Sequence, residues 1–274
     1  MPVPSRTLTA VVFTSMLLWP GNARASNTLV SLKVYISRRD RMESRLTKLR
    51  AGMLALAPVF LMFGCGGGST GTTLRVLNAS PDEATVQAIL DGADLGPTLA
   101  YEANTGYQTV KSGSRQFAIE AVGTTTNLLP NNATLSLAGS TETTIIMAGF
   151  ASSLQGMVLT DDNTEPASST INVRVVNAAP NLGSVDVYIV QPGTTLSSVT
   201  PTLHNLNYAT ASDYVNLSTG STTSYEIFLT QVGTTFTYLD TGPITFASGQ
   251  NRTIVGLNGA SGGAYTFTTL KDLN

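Results

Sequence analysis

"LRVLNASPDEATVQAILDG" (residues 74–92) returns a hundred residues later as "VRVVNAAPNLGSVDVYIVQPG" (173–193). Arg75, Asn78 and Pro81 correspond to Arg174, Asn177 and Pro180 in the same order and at the same spacing. The matching continues outward. Tyr101 and Tyr107 answer Tyr208 and Tyr214, after a longer loop "QPGTTLSSVTPT" in the second copy. "VGTT" stands at 122–125 and again at 232–235, and "TIIMAG" (144–149) answers "TIVGLN" (253–258). Ordered matches at long period mark one structural module written twice. "DDNTEPASST" (161–170), polar and proline-bearing, reads as the linker between the copies.

Within each copy the segments are short, β-branched and mostly alternating. "TLRVLNA", "TVQAILD", "RQFAIEAV", "ATLSL" and "TTIIMAGF" read as strands with turn residues between them. "NASPD" and "NAAPN" read as turns, because proline fixes φ and a following Asp or Asn bonds local backbone. "VGTT" reads as a hairpin turn. No ten-residue helical stripe follows Cys65. The expected fold is all-β: two tandem immunoglobulin-like or transthyretin-like β-sandwiches of about seven strands each, at residues 73–160 and 171–274. About a hundred residues suffice for such a sandwich to bury its own core.

The "RVVNA(S/A)P(D/N)…VDVYI" phrase resembles the bacterial domain-of-unknown-function family 4397, whose repeats read like "RVVHASPDAPAVDVYVDG". The resemblance covers nearly all of residues 72–270 and implies secreted or anchored proteins with no established activity. Asn78 and Asn177 stand where the family often has His, so no role of that His carries over.

The head of the chain has a different character. Nine Lys/Arg and two acids precede Cys65, whereas six Lys/Arg face fifteen Asp/Glu from Cys65 onward. An acidic body without a basic stripe excludes nucleic acid as a partner. From Met42, "MESRLTKLR" is a basic n-region and "AGMLALAPVFLMFG" an apolar run too short for a membrane span, the layout of an export signal. "LMFGC" (61–65) resembles the lipobox of bacterial lipoproteins, with Met62 and Phe63 where Leu and a small residue are commoner. The resemblance implies a signal peptide at 42–64, acylation of Cys65 and a membrane anchor, with Gly66 favouring the outer membrane. Several acyl chains anchor stably where one does not. "GGGSTGTT" completes a Gly/Ser/Thr tether over 65–72. Residues 1–41 contain a second signal-like stretch, and the expected translation start is Met42 rather than Met1.

Chemistry-bearing residues are few. His204 is the sole histidine and Cys65 the sole cysteine, too few ligands for zinc. "DGAD" (91–94) and "DD" (161–162) lack the alternating spacing of a calcium loop, and Asp82 and Asp186 read as turn chemistry near strand ends. The tyrosines Tyr101, Tyr107, Tyr208 and Tyr214 suit either a ligand platform or a structural role tying the sandwich. No metal, cofactor or catalytic residue is expected. The leading expectation is a non-enzymatic, lipid-anchored envelope protein with a structural or adhesive role, contacting an envelope protein or polymer. The alternatives are a carbohydrate- or peptidoglycan-associated binding module and a cryptic hydrolase. An outward aromatic strip would favour the first, and a deep cleft with two carboxylates the second.

Overall fold

A computed structural model describes residues 71–83, 85–220, 222–260 and 263–273. Cys65, the export signal, the upstream stretch and most of the tether lie outside the described residues. The described residues form one all-β unit with no α-helix.

In the first half the strands are β1 (Gly71–Ala79), β2 (Val86–Leu90), β3 (Ala93–Asp94), β4 (Gln108–Lys111), β5 (Gly113–Ala121), β6 (Thr134–Leu137), β7 (Glu142–Ala148) and β8 (Gln155–Asp161). They form two four-stranded sheets, β4-β1-β7-β8 and β3-β2-β5-β6. Between the sheets lies a core of Leu74, Val76, Val86, Ala88, Phe117, Ile119, Ile145, Met147 and their neighbours. Thus β-branched, period-two segments pack as a sandwich around their inward residues.

The second half has β9 (Thr170–Asn177), β10 (Val185–Val190), β11 (Leu203–Leu206), β12 (Thr210–Ala211), β13 (Val215–Ser218), β14 (Thr222–Gln231), β15 (Thr237–Asp240), β16 (Ile244–Ala247), β17 (Asn251–Leu257) and β18 (Thr266–Leu273). One sheet runs β12-β9-β17-β18, with β13 also on β9; the other runs β11-β10-β14-β15, with β16 also on β14. Its core holds Val173, Val175, Val187, Ile227, Leu229, Phe246 and Ile254. Each half carries one parallel pair amid antiparallel ones. β1 lies parallel to β7, from Thr73–Glu142 to Ala79–Ala148, and β9 lies parallel to β17, from Asn172–Asn251 to Asn177–Gly256.

These four strands are buried along nearly their whole length. Parallel strands covered on both faces read as continuous apolar runs, which is how "TTIIMAG" and "RTIVGL" read. The second cover is the other half. Leu77, Ala79, Ile146, Ala148 and Met157 of the first half join Val176, Ala178, Val255, Leu257 and Leu270 of the second in a third apolar cluster. The two sandwiches therefore stack sheet against sheet, and the seam between them is a core in its own right.

The turns differ in detail from expectation. The side chains that close "NASPD" and "NAAPN" belong to the fully buried Asn78 and Asn177. Their amide oxygens accept from the Ser80 and Ala179 backbone N–H, at 3.1 and 3.3 Å. Asp82 instead accepts the Ala151 N–H (2.8 Å) of a distant loop.

Candidate functional site at the seam between the sandwiches

Alternation along β1 and β9 decides what enters the seam. Leu74 and Val76 point into the first core and Val173 and Val175 into the second, so Arg75 and Arg174 turn the other way. Each arginine is held by a threonine of its own half and an aspartate of the other. Arg75 donates through Nε and Nη2 to Thr144 Oγ1 (3.0 and 2.8 Å), through Nη2 to Asp272 Oδ1 (2.6 Å) and through Nη1 to the Lys271 carbonyl (2.8 Å). Reciprocally, Arg174 donates through Nε to Thr253 Oγ1 (3.0 Å), through Nη2 to Asp161 Oδ1 (2.5 Å) and through Nη1 to the Thr160 carbonyl (3.0 Å).

The remaining carboxylate oxygens are also taken. Asp161 Oδ2 accepts from Thr144 Oγ1 (2.5 Å) and Tyr107 OH (2.7 Å), and Asp272 Oδ2 from Thr253 Oγ1 (2.6 Å) and Tyr214 OH (2.9 Å). The tyrosine rings lie against the guanidinium groups, 4.3 Å from Arg75 to the Tyr107 centroid and 4.8 Å from Arg174 to Tyr214. The two aspartate side chains are fully buried, and the arginine side chains are 3–4% exposed. Burial drives the Tyr107 and Tyr214 hydroxyls far above their ordinary pKa, so both remain proton donors. Burial alone would depress Arg174, but Asp161 and Tyr214 beside it outweigh that and its pKa ends raised. Charge-assisted bonds of this kind are strong only when every partner is satisfied, as here.

The other tyrosine pair also crosses the seam. Tyr101 OH donates to the Asn258 carbonyl of the second half. Tyr208, from the second half, brings its hydroxyl over Gly149 of the first, where a Cβ would stand 3.1 Å from it and 2.4 Å from the Ser153 carbonyl. Gly149 has φ of 102°, so both space and backbone call for glycine there. The Tyr208 hydroxyl is buried without a partner.

Residues read from the sequence as candidates elsewhere are used locally. His204 is 63% exposed, with Nδ1 3.8 Å from Asp186, beyond hydrogen-bond range. The Asp186 carboxylate accepts the Asn205 and Gly233 N–H groups (2.9 and 2.8 Å) and so ties β11 to the turn at Gly233. Asp91 of "DGAD" sits at φ of 50°, accepts the Gln116 N–H (3.0 Å) and pairs with Arg115. Asp161 ends β8 inside the seam, whereas Asp162 caps a turn at the Thr164 N–H (2.8 Å). Asp161 and Asp272 both lie within 4 Å of Arg75 Nη2, and both are sealed from solvent.

Two further features are open to solvent. Phe236, 63% exposed, leads an aromatic row with Tyr238 and Tyr265, at centroid separations of 5.5 and 5.9 Å. The rings meet edge to face, so they present no flat row of faces. Two cavities flank Gly71. The larger, about 450 Å³, is lined by Leu90, Asp91, Asp94, Val110, Lys111 and Arg115, among others. A second, about 410 Å³, is lined almost wholly by hydroxyl, carboxylate and amide side chains.

The fold and seam define an all-β protein of two stacked sandwiches. Residues 72–188, from β1 through most of β10, match the family model "Domain of unknown function (DUF4397)", so the family resemblance holds over that stretch. No curated protein matches the chain. Among solved structures, the chain is similar to a DUF3823 family protein from Bacteroides ovatus ATCC 8483, at 9% identity and a TM-score of 0.18. That similarity covers 65% of this chain and 98% of the other.

Proposed function

We propose that the protein is a non-enzymatic, lipid-anchored component of the cell envelope, in the outer membrane. In this reading it holds a stiff pair of β-sandwiches off the membrane and contacts an envelope protein or polymer through loops and strand edges. One observation carries the reading: the side chains best suited to chemistry, Arg75, Arg174, Asp161, Asp272, Tyr107 and Tyr214, are all spent on joining the halves. A buried apolar seam with crossed ion pairs makes the two modules move as one body, which suits a spacer or a display platform. The lipobox-like "LMFGC" supports the anchor.

The test is to express the full chain from Met1 and from Met42, extract membranes, and measure intact mass. The expected product begins at Cys65 with acyl mass added, and Cys65→Ser releases it to the soluble fraction. A soluble species with an unmodified thiol at position 65 overturns the reading. A second reading, a carbohydrate-binding module, would use Phe236, which is 63% exposed beside the half-buried Tyr238. Loss of polysaccharide co-sedimentation in Phe236→Ala would support it.

A further inference from the structure

One end of the second sandwich is built from uncharged connections. The ends of β9, β11, β14 and β17 gather there, since Val185 pairs with Gln231 and Leu206 in the outer sheet and Asn177 pairs with Gly256 and Thr210 in the seam sheet. The connections run through "AAPNLGS" (178–184), "NYA" (207–209), "VGTTF" (232–236) and "NGASGGAY" (258–265), without one Asp, Glu, Lys, Arg or His. They are tied to one another. Ser184 Oγ donates to Asn207 Oδ1 (2.6 Å), the Asn181 N–H to Asn258 Oδ1 (3.3 Å) and Tyr265 OH to the Asn181 carbonyl (3.4 Å). Behind them Asp186 is buried and spent on two N–H groups, with His204 beside it.

The first sandwich supplies the comparison. Asp82, Glu83, Glu102 and Thr126 stand where the second has Asn181, Leu182, Ala209 and Phe236, once Pro81 is matched with Pro180, Tyr101 with Tyr208 and the two "VGTT" turns with each other. Three acids are thus replaced by neutral side chains and a threonine by an aromatic ring, in a body that carries fifteen acids against six bases. The ring projects. Phe236 is 63% exposed and Val232 37%, and Gly233, Thr234 and Thr235 between them are exposed too. Tyr238 meets Phe236 edge to face and braces it. An uncharged surface with a projecting ring offers nothing to an ionic partner. It matches the interface of a bilayer, where aromatic side chains settle at headgroup level.

We infer that this end of the second sandwich docks on the interfacial region of a lipid bilayer, with Phe236 and Val232 inserted and the hydroxyls and amides around them among the headgroups. The neutral rim matters as much as the ring, because carboxylates at these places would be repelled by anionic lipids and would lose water on approach. One ring and one valine give weak, reversible attachment, of the kind that many copies side by side make firm. The inference concerns the folded body and holds with or without an acyl anchor on Cys65.

The test uses the full chain from Met42 with Cys65→Ser and Phe236→Trp. Trp19 lies upstream of Met42, so the introduced indole is the chain's only one. Phosphatidylcholine vesicles should shift its emission to the blue, and lipids brominated in the acyl chains should quench it. Both effects should survive a rise in salt from about 0.05 to 0.5 M. Adding Val232→Asp should lower the apparent vesicle affinity of this signal roughly 10–100-fold. In the chain with Phe236 in place, vesicles should slow hydrogen exchange over 232–236 and leave the 122–127 turn of the first sandwich unchanged. Absence of any vesicle signal overturns the inference. Co-sedimentation with vesicles but without quenching overturns it too, because the apolar run before Cys65 then does the binding, and leaves the anchor reading standing. An emission shift with soluble polysaccharide and none with vesicles overturns it in favour of the carbohydrate reading.

Discussion

Replacing Asp161 with alanine should do more damage than any surface change in this protein. The substitution strands the Arg174 guanidinium in the seam and removes the acceptor used by Thr144 and Tyr107. Breaking a buried pair from one side costs about 3–5 kcal/mol, a large share of the ~5–15 kcal/mol that holds an ordinary domain. For a chain of this size that is a fall of roughly 6–20 °C in melting temperature. The arginines should not be equivalent. Arg75 Nη2 already lies 3.7 Å from Asp161 Oδ2, so in Arg174→Met the aspartate keeps a second cation nearby. In Arg75→Met, Asp272 loses the guanidinium it is paired with, so this variant should be the less stable of the two. Arg115→Gln, which removes only the partly exposed pair with Asp91, should cost about 0–1 kcal/mol. The double variant Asp161→Leu/Arg174→Met should recover part of the Asp161→Ala loss, since no charge is left unpaired. Urea unfolding followed by circular dichroism gives all these values, with the slope checked for constancy. A cost below about 1 kcal/mol for Asp161→Ala would refute the argument, because the seam would then tolerate an unpaired guanidinium.

Tyr101→Phe should lose about 1 kcal/mol with its bond to the Asn258 carbonyl, whereas Tyr208→Phe should be neutral or stabilising, since its hydroxyl is buried unpaired; thermal melts of the two variants decide. Burial raises the Glu142 pKa, so the folded state holds that proton to higher pH than the unfolded chain. Stability from this group is present below the ordinary value near 4.3 and falls as pH rises through the raised one. Glu142→Gln should remove that fall and be the more stable form at neutral pH, which a pair of pH-dependent urea titrations measures.

Strand existence was legible where β-branched residues run together, as in "TLRVLNA" and "TTIIMAG". The parallel pairing of β1 with β7 was not, since no local code links Arg75 to Thr144 across the intervening chain. β4 and β8 are hard to read because "QTVK" is short and polar and "QGMVLTD" has glycine second and ends on an acid. Asp161 reads as part of a polar stretch because Asp162, Asn163 and Thr164 follow it; its burial is decided by Arg174, which local reading does not weigh. A signal was nevertheless present. Arginine at matched places inside two apolar runs demands a carboxylate, and two tyrosines at matched places supply ring faces for it.

The reciprocal seam sets a problem of timing. In a chain made from the amino terminus, the first sandwich is complete before its cover exists, and Leu77, Ile146 and Met157 meet water or a neighbour. Its Arg75 and Asp161, already close, can neutralise each other meanwhile, leaving a mostly apolar face open to a first sandwich from another nascent chain. Delivery of the two halves in quick succession, or a chaperone on that face, is therefore part of what this architecture requires of the cell.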